Sequence, residues 1–490
     1  MKGDALIYER IYSILKTKIE SGLMPVGSKI PSRADLCQEF GASEKPVRKA
    51  LEMLAQDGFL ESCQRKRPTV IRTQVLPDID SCRSFKPADR IVSHDVIQSG
   101  ILLCQPLIRW GMYLCRGDEW NTPESIVAQM DPGKAMEFWR LSNRLWRFFV
   151  ARIGNELILR AVDSLGLNLD PLPGTQEFRA SYLANLKKFL DTVKKGGAPE
   201  RVRFADMSVV YRFLTGRPKG CPYYQVFDST LRAGGGSWEQ DFRKDEERYT
   251  RVYLDLLGQI CIGNYNPGDR LPSHKQLQEM YHVSVDTTVK AIEILQSWGV
   301  VTTKRGCGIF VTMDLNDLKG SHFPPQALAG PIRRFLDSLE LLSLTIANVA
   351  CHVGERAHKA DIQKLRQRIG NLSLESPHHY QLAPIVLLDF MVDNIQYEAL
   401  RDIYKVIQKN YSIGRSIPRL VKRDKTEKNW NVYQQCKMAV ELLDEGAVQA
   451  FANQISCMYL SVNKMIIREC DRLDYSKAAM EVYDGASLWK

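Results

Sequence analysis

The feature that most constrains the fold is an internal repeat. The segment from Tyr8 to Val70 recurs as Tyr249 to Val311, displaced by 241 residues without a gap. Because the repeated unit takes up about half of the chain, the molecule resembles two complete proteins joined head to tail. Many positions keep their residue type, and six of them are Gly, Pro or Ser, whose backbone roles are special. The retained positions include Tyr8, Arg10, Tyr12, Leu15, Gly22, Gly27, Pro31, Ser32, Leu36, Ser43, Lys49, Ala50, Glu52, Leu54, Gly58 and Val70.

The composition indicates an ordinary globular protein with several domains. Its 490 residues leave room for roughly three or four domains. Apolar residues make up 44% and charged residues 25%, and no apolar run reaches the roughly 18 residues of a membrane span. The start has no secretory signal, and twelve cysteines without a CxxC pair favour reduced thiols. We therefore expect a cytoplasmic protein with no membrane partner.

The net charge of +10 is concentrated in the repeat. Residues 8–73 hold twelve Lys or Arg against eight Asp or Glu, and residues 248–313 hold seven against five. More than half of the excess therefore lies in about a quarter of the chain. This favours a polyanionic partner for the two copies, although such small excesses also suit a mildly basic surface.

Each copy is predicted to contain a helix-turn-helix. Ser32 and Ser273 are placed to cap a second helix, and Ser43 and Ser284 to cap a third one. The third helix has an apolar stripe at helical spacing: Val47, Ala50, Leu51 and Leu54, or Thr288, Ala291, Ile292 and Leu295. Two short capped helices in succession form a motif whose second helix fits the major groove.

A basic β-hairpin is predicted to follow the third helix. Its tip is Gln64-Arg65-Lys66-Arg67 in the first copy and Lys304-Arg305-Gly306-Cys307-Gly308 in the second. Such a hairpin is the wing of a winged helix, and the tip glycines let backbone approach a phosphate closely.

These motifs resemble the DNA-binding domain of the GntR family of bacterial transcription regulators. The second copy carries the pattern at Gly263, Pro267 to Ser273, Val283, Ser284, Asp286, Thr287, Arg305, Gly306, Gly308, Phe310 and Val311. The first copy matches at Gly22, Gly27, Pro31, Ser32, Ser43, Val47, Arg48, Ala50, Leu51 and Gly58.

The resemblance implies a set of DNA-contacting residues. Both copies depart from the family, since the arginine expected after the third-helix serine is Glu44 or Val285, and the wing glycine is Arg65 in the first copy. The copies should therefore prefer different half-sites. The predicted contacts are Ser32, Arg33, Ser43, Lys45, Arg48, Lys49, Arg65, Lys66, Arg67, Ser273, Lys275, Ser284, Asp286, Thr287, Lys290, Lys304, Arg305 and Gly306.

The segments after each copy are predicted to form all-helical bundles. Their apolar-periodic runs are about Asp95–Cys115, Lys134–Leu165, Gln176–Lys195, Ile332–Arg356, Ala360–Gly370, Gln381–Lys409 and Val432–Arg472.

Residues 145–155 in the first bundle resemble a stretch of the FadR-type effector domain. This resemblance implies an effector pocket near Trp146, Asn155 and Asn394. Many FadR-type members bind a metal through histidines, but Trp146 stands at the histidine position, so we expect no metal site and no cofactor. A metal-free pocket would suit an organic acid or an acyl thioester.

The sequence thus predicts a mainly α protein with two winged helices, each followed by a helical effector domain. It is expected to bind operator DNA as a covalent pseudo-dimer, monomeric or further associated, with its affinity modulated by a small metabolite. A protein-interaction scaffold is the alternative, and no enzyme signature is evident. The predicted boundaries are 1–75 and 248–314 for the winged helices, 76–92 and 233–247 for linkers, and 93–232 and 315–490 for the effector domains.

Overall fold

The computed structural model is mainly helical. It describes residues 24, 26–40, 42–61, 67–71, 90–165, 175–195, 248–261, 265–281, 283–313, 325–375, 379–415 and 426–476, with single positions at 8, 11, 12, 15, 16, 18, 19, 417, 420 and 479. Both predicted linkers, apart from the last three residues of the first one, lie outside these residues.

The first copy folds as a winged helix. Helical residues between positions 8 and 19 contribute the fully buried Ile11, Leu15 and Ile19. Leu60 pairs with Val70 across an antiparallel hairpin. The elements that follow the N-terminal helix are α1 (Arg33–Glu39), α2 (Glu44–Gln56), β1 (Leu60–Glu61) and β2 (Thr69–Val70).

The first helical bundle uses a close backbone approach. A Cβ atom at Gly111 would lie 1.8 Å from the carbonyl oxygen of Phe149, so glycine lets two helices touch there. The bundle consists of α3 (Arg90–Leu114), a short 3-10 turn (Gly117–Trp120), α4 (Asn121–Ala128), α5 (Ala135–Ala151), α6 (Glu156–Ser164) and α7 (Gln176–Lys194).

The second copy repeats the winged helix with a longer hairpin. Val301 pairs with Val311 and Lys304 with Gly308. The apolar stripes predicted for the third helix of both copies are buried, as expected. The elements are α8 (Arg248–Cys261), α9 (His274–Tyr281), α10 (Val285–Ser297), β3 (Val301–Lys304) and β4 (Gly308–Val311).

The second bundle is built around its longest helix. One stretch of that helix, Pro331–Gly354, is long and apolar enough to cross a bilayer, but 67% of its most apolar window is buried inside the protein, as in the core helix of a bundle. The elements are α11 (Pro325–Gly354), α12 (Lys359–Glu375), a 3-10 turn (His379–Leu382), α13 (Ala383–Asn394), α14 (Glu398–Arg415), α15 (Glu427–Asp444) and α16 (Val448–Arg472).

Three of the apolar-periodic runs in the bundles each contain two helices. The run 134–165 divides into α5 and α6, 381–409 into α13 and α14, and 432–472 into α15 and α16. Apolar spacing continues across these breaks, but the backbone does not: Asn155 caps the new helix by accepting the Ile158 N–H at 3.0 Å, and Gly446 adopts a φ of 78°. The helix α4 lies outside every predicted run.

Contacts divide the chain into two compact units that follow the duplication. The first is Met1–Asp241 with Ile395–Ile403 and Asp484–Lys490, and the second is Phe242–Asn394 with Tyr404–Tyr483. Each unit thus contains one winged helix and most of one bundle.

Candidate nucleic-acid interface

Reciprocal serine caps fix the start of the helix that precedes each third helix. Ser32 Oγ accepts the Asp35 N–H at 3.1 Å, and the Asp35 carboxylate accepts the Ser32 N–H at 2.9 Å. Ser273 and Gln276 form the same pair at 3.4 and 2.8 Å. Both predicted caps are therefore confirmed, and together they orient the helix-turn-helix of each copy.

The third helices α2 and α10, here called the recognition helices, begin differently. Ser284 Oγ accepts the Thr287 N–H at 3.4 Å. Ser43 occupies the same position, but its side chain makes no cap hydrogen bond, so the predicted cap in the first copy is wrong. The physical reason is Pro46, which stands where Thr287 stands and has no N–H to donate.

The first recognition helix turns its basic residues outward. Lys45, Arg48 and Lys49 are exposed, while the opposite face is buried. Lys49 lies over the ring of Tyr8, with its Nζ 3.6 Å from the ring centroid. Lys290 repeats this contact with Tyr249 at 3.8 Å. The conserved lysine of the repeat therefore has an internal cation–π partner as well as solvent access.

Two carboxylates partly neutralise the first recognition surface. Arg33 lies 3.5 Å from Glu44, and Arg48 lies 3.5 Å from Glu52. All four side chains are more than half exposed. Such exposed pairs contribute little to stability, so the two arginines can exchange their carboxylate partners for phosphates.

The first wing supplies one described cation. Arg67 is exposed, whereas Arg65 and Lys66 lie outside the described residues. The hydrogen bonds from Ser32 hold the pKa of Asp35 below its usual value, and the charge of Arg67 acts in the same direction. The Ile30 N–H, just before α1, donates to the carbonyl of Pro68 at 2.9 Å, so the wing and the helix-turn-helix present a common surface.

The second recognition helix has a different exposed face. Asp286 and Lys290 are exposed and Thr287 is half-buried. Val285 and Val289, which replace Glu44 and Arg48 of the first copy, are 48% and 36% exposed. Lys275 on the preceding helix is also exposed. This face therefore combines an apolar pair with surrounding charges.

The second wing is basic and depends on two glycines. Lys304 and Arg305 are exposed at its tip, and Gly306 adopts a φ of 75°. Gly308 has a φ of 119°, and a Cβ atom there would lie 2.7 Å from Nε of Arg270. The left-handed backbone and the packed arginine thus both require glycine at position 308.

The residues predicted to surround an effector mainly support local structure. The Trp146 indole N–H lies 3.2 Å from Ser142 Oγ, inside a buried cluster that includes Tyr182. Asn155 caps α6, and the Asn394 amide donates to the Phe390 carbonyl at 2.9 Å. Their role in effector binding stays a prediction.

A cleft in the second bundle has the chemistry of a ligand pocket. Its cavity volume is about 40 Å³, and it is partly open to solvent. Arg415 provides a positive charge, and burial raises the pKa of Tyr411 to about 12, with Arg415 opposing that shift. The lining contains no carboxylate and consists of Phe335, Gln381, Pro384, Tyr411, Arg415, Asn429, Val432, Val462, Met465 and Ile466.

Metal-binding chemistry is not assembled in the part of the chain that the structure describes. No group of three or more His, Cys, Asp or Glu side chains is placed to hold an ion there. His352 is buried, which lowers its pKa to about 4, with Arg356 acting in the same direction and Glu355 opposing it. His358 and His379 are exposed.

Sequence reasoning missed the cleft and the ion pairs. Gln381, Arg415 and Asn429 belong to three separate segments, and no spacing rule links them. The Arg33–Glu44 pair could have been predicted more easily, because a carboxylate at a position where the family has arginine indicates a basic side chain nearby. The Lys49–Tyr8 and Lys290–Tyr249 pairs were signalled by the fact that both residues are retained in both copies.

Comparison with known proteins identifies the repeated segments. A family model described as bacterial regulatory proteins, gntR family, matches residues 7–70 and again residues 248–311. The two matches cover the two winged helices that the fold shows.

Individual relatives share a low sequence identity with this chain. The Uxu operon regulator of Haemophilus influenzae is 28% identical over 174 residues, covering 32% of this chain and 63% of the relative. The Uxu operon transcriptional regulator of Escherichia coli is 30% identical over 121 residues, covering 25% of this chain and 46% of the relative. The chain thus matches less than two-thirds of the length of these relatives. A solved GntR protein of Streptococcus agalactiae has 19% identity and a TM-score of 0.22, covering 44% of this chain and 99% of its own.

Proposed function

Residues 7–70 and 248–311 belong to the gntR family of bacterial regulatory proteins, and we propose that the chain is a cytoplasmic transcription regulator whose two winged helices bind one operator. Each copy would place its recognition helix in the major groove and its wing against the backbone. The relatives are operon regulators by name, which supports a regulatory rather than an enzymatic role.

The observation that carries this proposal is the exposure of both basic surfaces. Lys45, Arg48 and Arg67 are open to solvent in the first copy. Lys275, Lys304 and Arg305 are open in the second. Cations held on rigid elements and accessible from outside are what phosphate contacts need.

Covalent linkage of the two copies gives the proposal its pseudo-dimer form. Once one winged helix is bound, the covalent link would keep the other at an effective concentration on the order of mM. Linkage also allows the copies to diverge, as Glu44 and Val285 show. The operator would then hold two unlike half-sites, roughly one helical turn or about 34 Å apart.

The cleft in the second bundle is the proposed effector site. Arg415 and Tyr411 belong to a lining without carboxylates, which favours an anion such as the carboxylate of an organic acid. The apolar side chains around them would hold the rest of a small metabolite.

The DNA-binding proposal is tested by removing cations one copy at a time. Lys45→Ala with Arg67→Ala, and Lys304→Ala with Arg305→Ala, should each weaken binding to a duplex selected by the wild-type chain. Because about 0.9 counterions are released per phosphate contact, each pair should flatten the slope of log K against log salt by roughly 1.8. The measurement is a salt series of equilibrium titrations.

The matched control removes two charges elsewhere. Lys187 and Lys188 are exposed on α7 of the first bundle, so Lys187→Ala with Lys188→Ala should leave affinity and slope unchanged. Weak, sequence-independent binding by the wild-type chain would instead support a protein-interaction scaffold. Equal effects of the interface and control pairs would count against the assigned surface.

The effector proposal is tested in the same assay. A panel of small organic acids should include a compound that changes operator affinity for the wild-type chain. Arg415→Gln should remove that response while leaving affinity without the compound intact, because Arg415 lies in the bundle. An unchanged response in this variant would exclude the cleft as the site.

A further inference from the structure

We propose that the second recognition helix reads the 5-methyl groups of thymine through Val285 and Val289. This inference rests on the proposed DNA binding and adds the chemistry by which one copy selects its half-site. It concerns two positions at which the copies differ in charge, since Val285 corresponds to Glu44 and Val289 to Arg48 at the fixed displacement of the repeat.

The two valines are not part of the core. The recognition helix α10 buries Thr288, Ala291, Ile292 and Leu295 on its inner face, whereas Val285 and Val289 are 48% and 36% exposed. They lie one helical turn apart and therefore share a face. Valine is also a poorer helix former than Arg, Lys, Gln or Glu, so helix propensity gives no reason for this pair on an outer surface.

The pair lies at the end of the helix that approaches base edges in helix-turn-helix proteins. Val285 is the first helical residue after the capping Ser284. Thr288 Oγ1 donates to the Val285 carbonyl at 2.8 Å and lies 3.0 Å from Nδ1 of His274. These hydrogen bonds fix the helix start against the preceding helix, so the valines are presented on a rigid element.

The charge around the pair favours DNA over an apolar protein surface. Lys275, Lys290, Lys304 and Arg305 are exposed on the same winged helix. The recognition helix is also tied to the wing by a hydrogen bond from Gln296 Nε2 to Thr303 Oγ1 at 2.8 Å. Asp286 next to the pair is an exposed carboxylate, but residues 248–313 hold seven Lys or Arg against five Asp or Glu. This net positive charge suits a groove that combines methyl groups with flanking phosphates.

The chemistry of the major groove then selects the base. Valine offers neither a donor nor an acceptor, and the apolar feature that the four bases present in this groove is the thymine methyl. Guanine, adenine or cytosine at these positions would lose hydration of a polar edge without gaining a partner. In the first copy, Glu44 and Arg48 are polar and would read base edges through hydrogen bonds instead.

Replacing thymine by deoxyuridine tests the proposal, because it removes only the methyl group and keeps base pairing. The probe is a duplex selected from a random pool by the full-length chain. Single deoxyuridine substitutions in the half-site of the second copy should reveal one or two positions where affinity falls about fourfold, as expected for losing one buried methyl-sized group. The same substitutions in the other half-site should have little effect.

The variant Val285→Ala with Val289→Ala should bind the thymine and deoxyuridine duplexes equally. A control pair, Leu460→Ala with Ile467→Ala, removes comparable exposed aliphatic side chains from the second bundle and should keep the wild-type preference. If the wild-type chain binds the selected duplex tightly but ignores every deoxyuridine, methyl reading is overturned while DNA binding stands. If no duplex is bound selectively, the proposed function itself fails.

Discussion

Single substitutions between the copies show how one scaffold acquires two surfaces. Pro46 removes the N–H that the second copy uses for its serine cap. Glu44 places a carboxylate next to Arg33, whereas the second copy has Val285 and His274 at the corresponding positions. Pro46 is buried, whereas Arg33, Glu44 and Val285 are exposed, so the exchange of Glu44 for Val285 alters the surface with little effect on the core.

Glu44 is predicted to weaken DNA binding by the first copy. Its carboxylate holds Arg33 and would face the phosphates. Glu44→Gln should therefore tighten binding by roughly fivefold at low salt, corresponding to about 1 kcal/mol for one unit charge in water. Titrations of the selected duplex would measure this, with Glu445→Gln on the second bundle as the control. Weaker binding by the Glu44 variant would contradict the assigned orientation.

His352 is predicted to make the second bundle sensitive to acid. Its pKa is lowered to about 4 in the folded protein, chiefly by burial. The unfolded chain, with a pKa of about 6.5, binds more protons between these values, so stability is complete above pH 6.5 and declines as the pH falls toward 4. The loss should reach about 3 kcal/mol.

Denaturant unfolding across that pH range would measure the effect. His352→Gln should flatten the dependence of the unfolding free energy on pH. His358→Gln, which changes an exposed histidine, should leave the dependence as it is. Parallel pH profiles for the wild type and the His352 variant would show that another group titrates.

At the scale of elements, the second wing depends on Gly308. Alanine at this position combines a φ of 119° with a Cβ only 2.7 Å from the Arg270 guanidinium. Gly308→Ala should therefore distort the hairpin and lower DNA affinity by tenfold or more, while the helical content is retained. DNA titration and circular dichroism would separate the two effects.

Gly370 provides the matched control. It lies within α12, and a Cβ atom there would meet nothing within 4 Å. Gly370→Ala should therefore stabilise the second bundle by about 0.5–1 kcal/mol without changing DNA affinity. A wild-type affinity in the Gly308 variant would mean that the second wing makes no contact.

The elements that the sequence predicted best are those with special backbone residues. Pro31-Ser32 and Pro272-Ser273 fix the helix starts in both copies, and their spacing can be recognised in the sequence alone. The bundles were harder, because a continuous apolar stripe conceals the breaks at Asn155 and Gly446. The cleft around Arg415 depends on tertiary packing of distant segments, which no local pattern encodes.

For the whole molecule, the duplication replaces the association of two chains by a covalent link between the two winged helices. Two separate winged helices must find each other before binding a bipartite site, whereas two linked ones need only reach across it. The differences at Glu44 and Arg48 against Val285 and Val289 are then useful, since an unlike pair can specify both the site and its orientation.

In the proposed function, both winged helices of one chain bind one duplex. The ratio of affinities for the selected duplex and for its two separated halves tests it most directly. We predict that the whole duplex binds at least about 100-fold more tightly than either half, and that Lys304→Ala with Arg305→Ala removes most of this advantage. Equal affinity for the whole duplex and for one half would contradict the binding of one duplex by both winged helices.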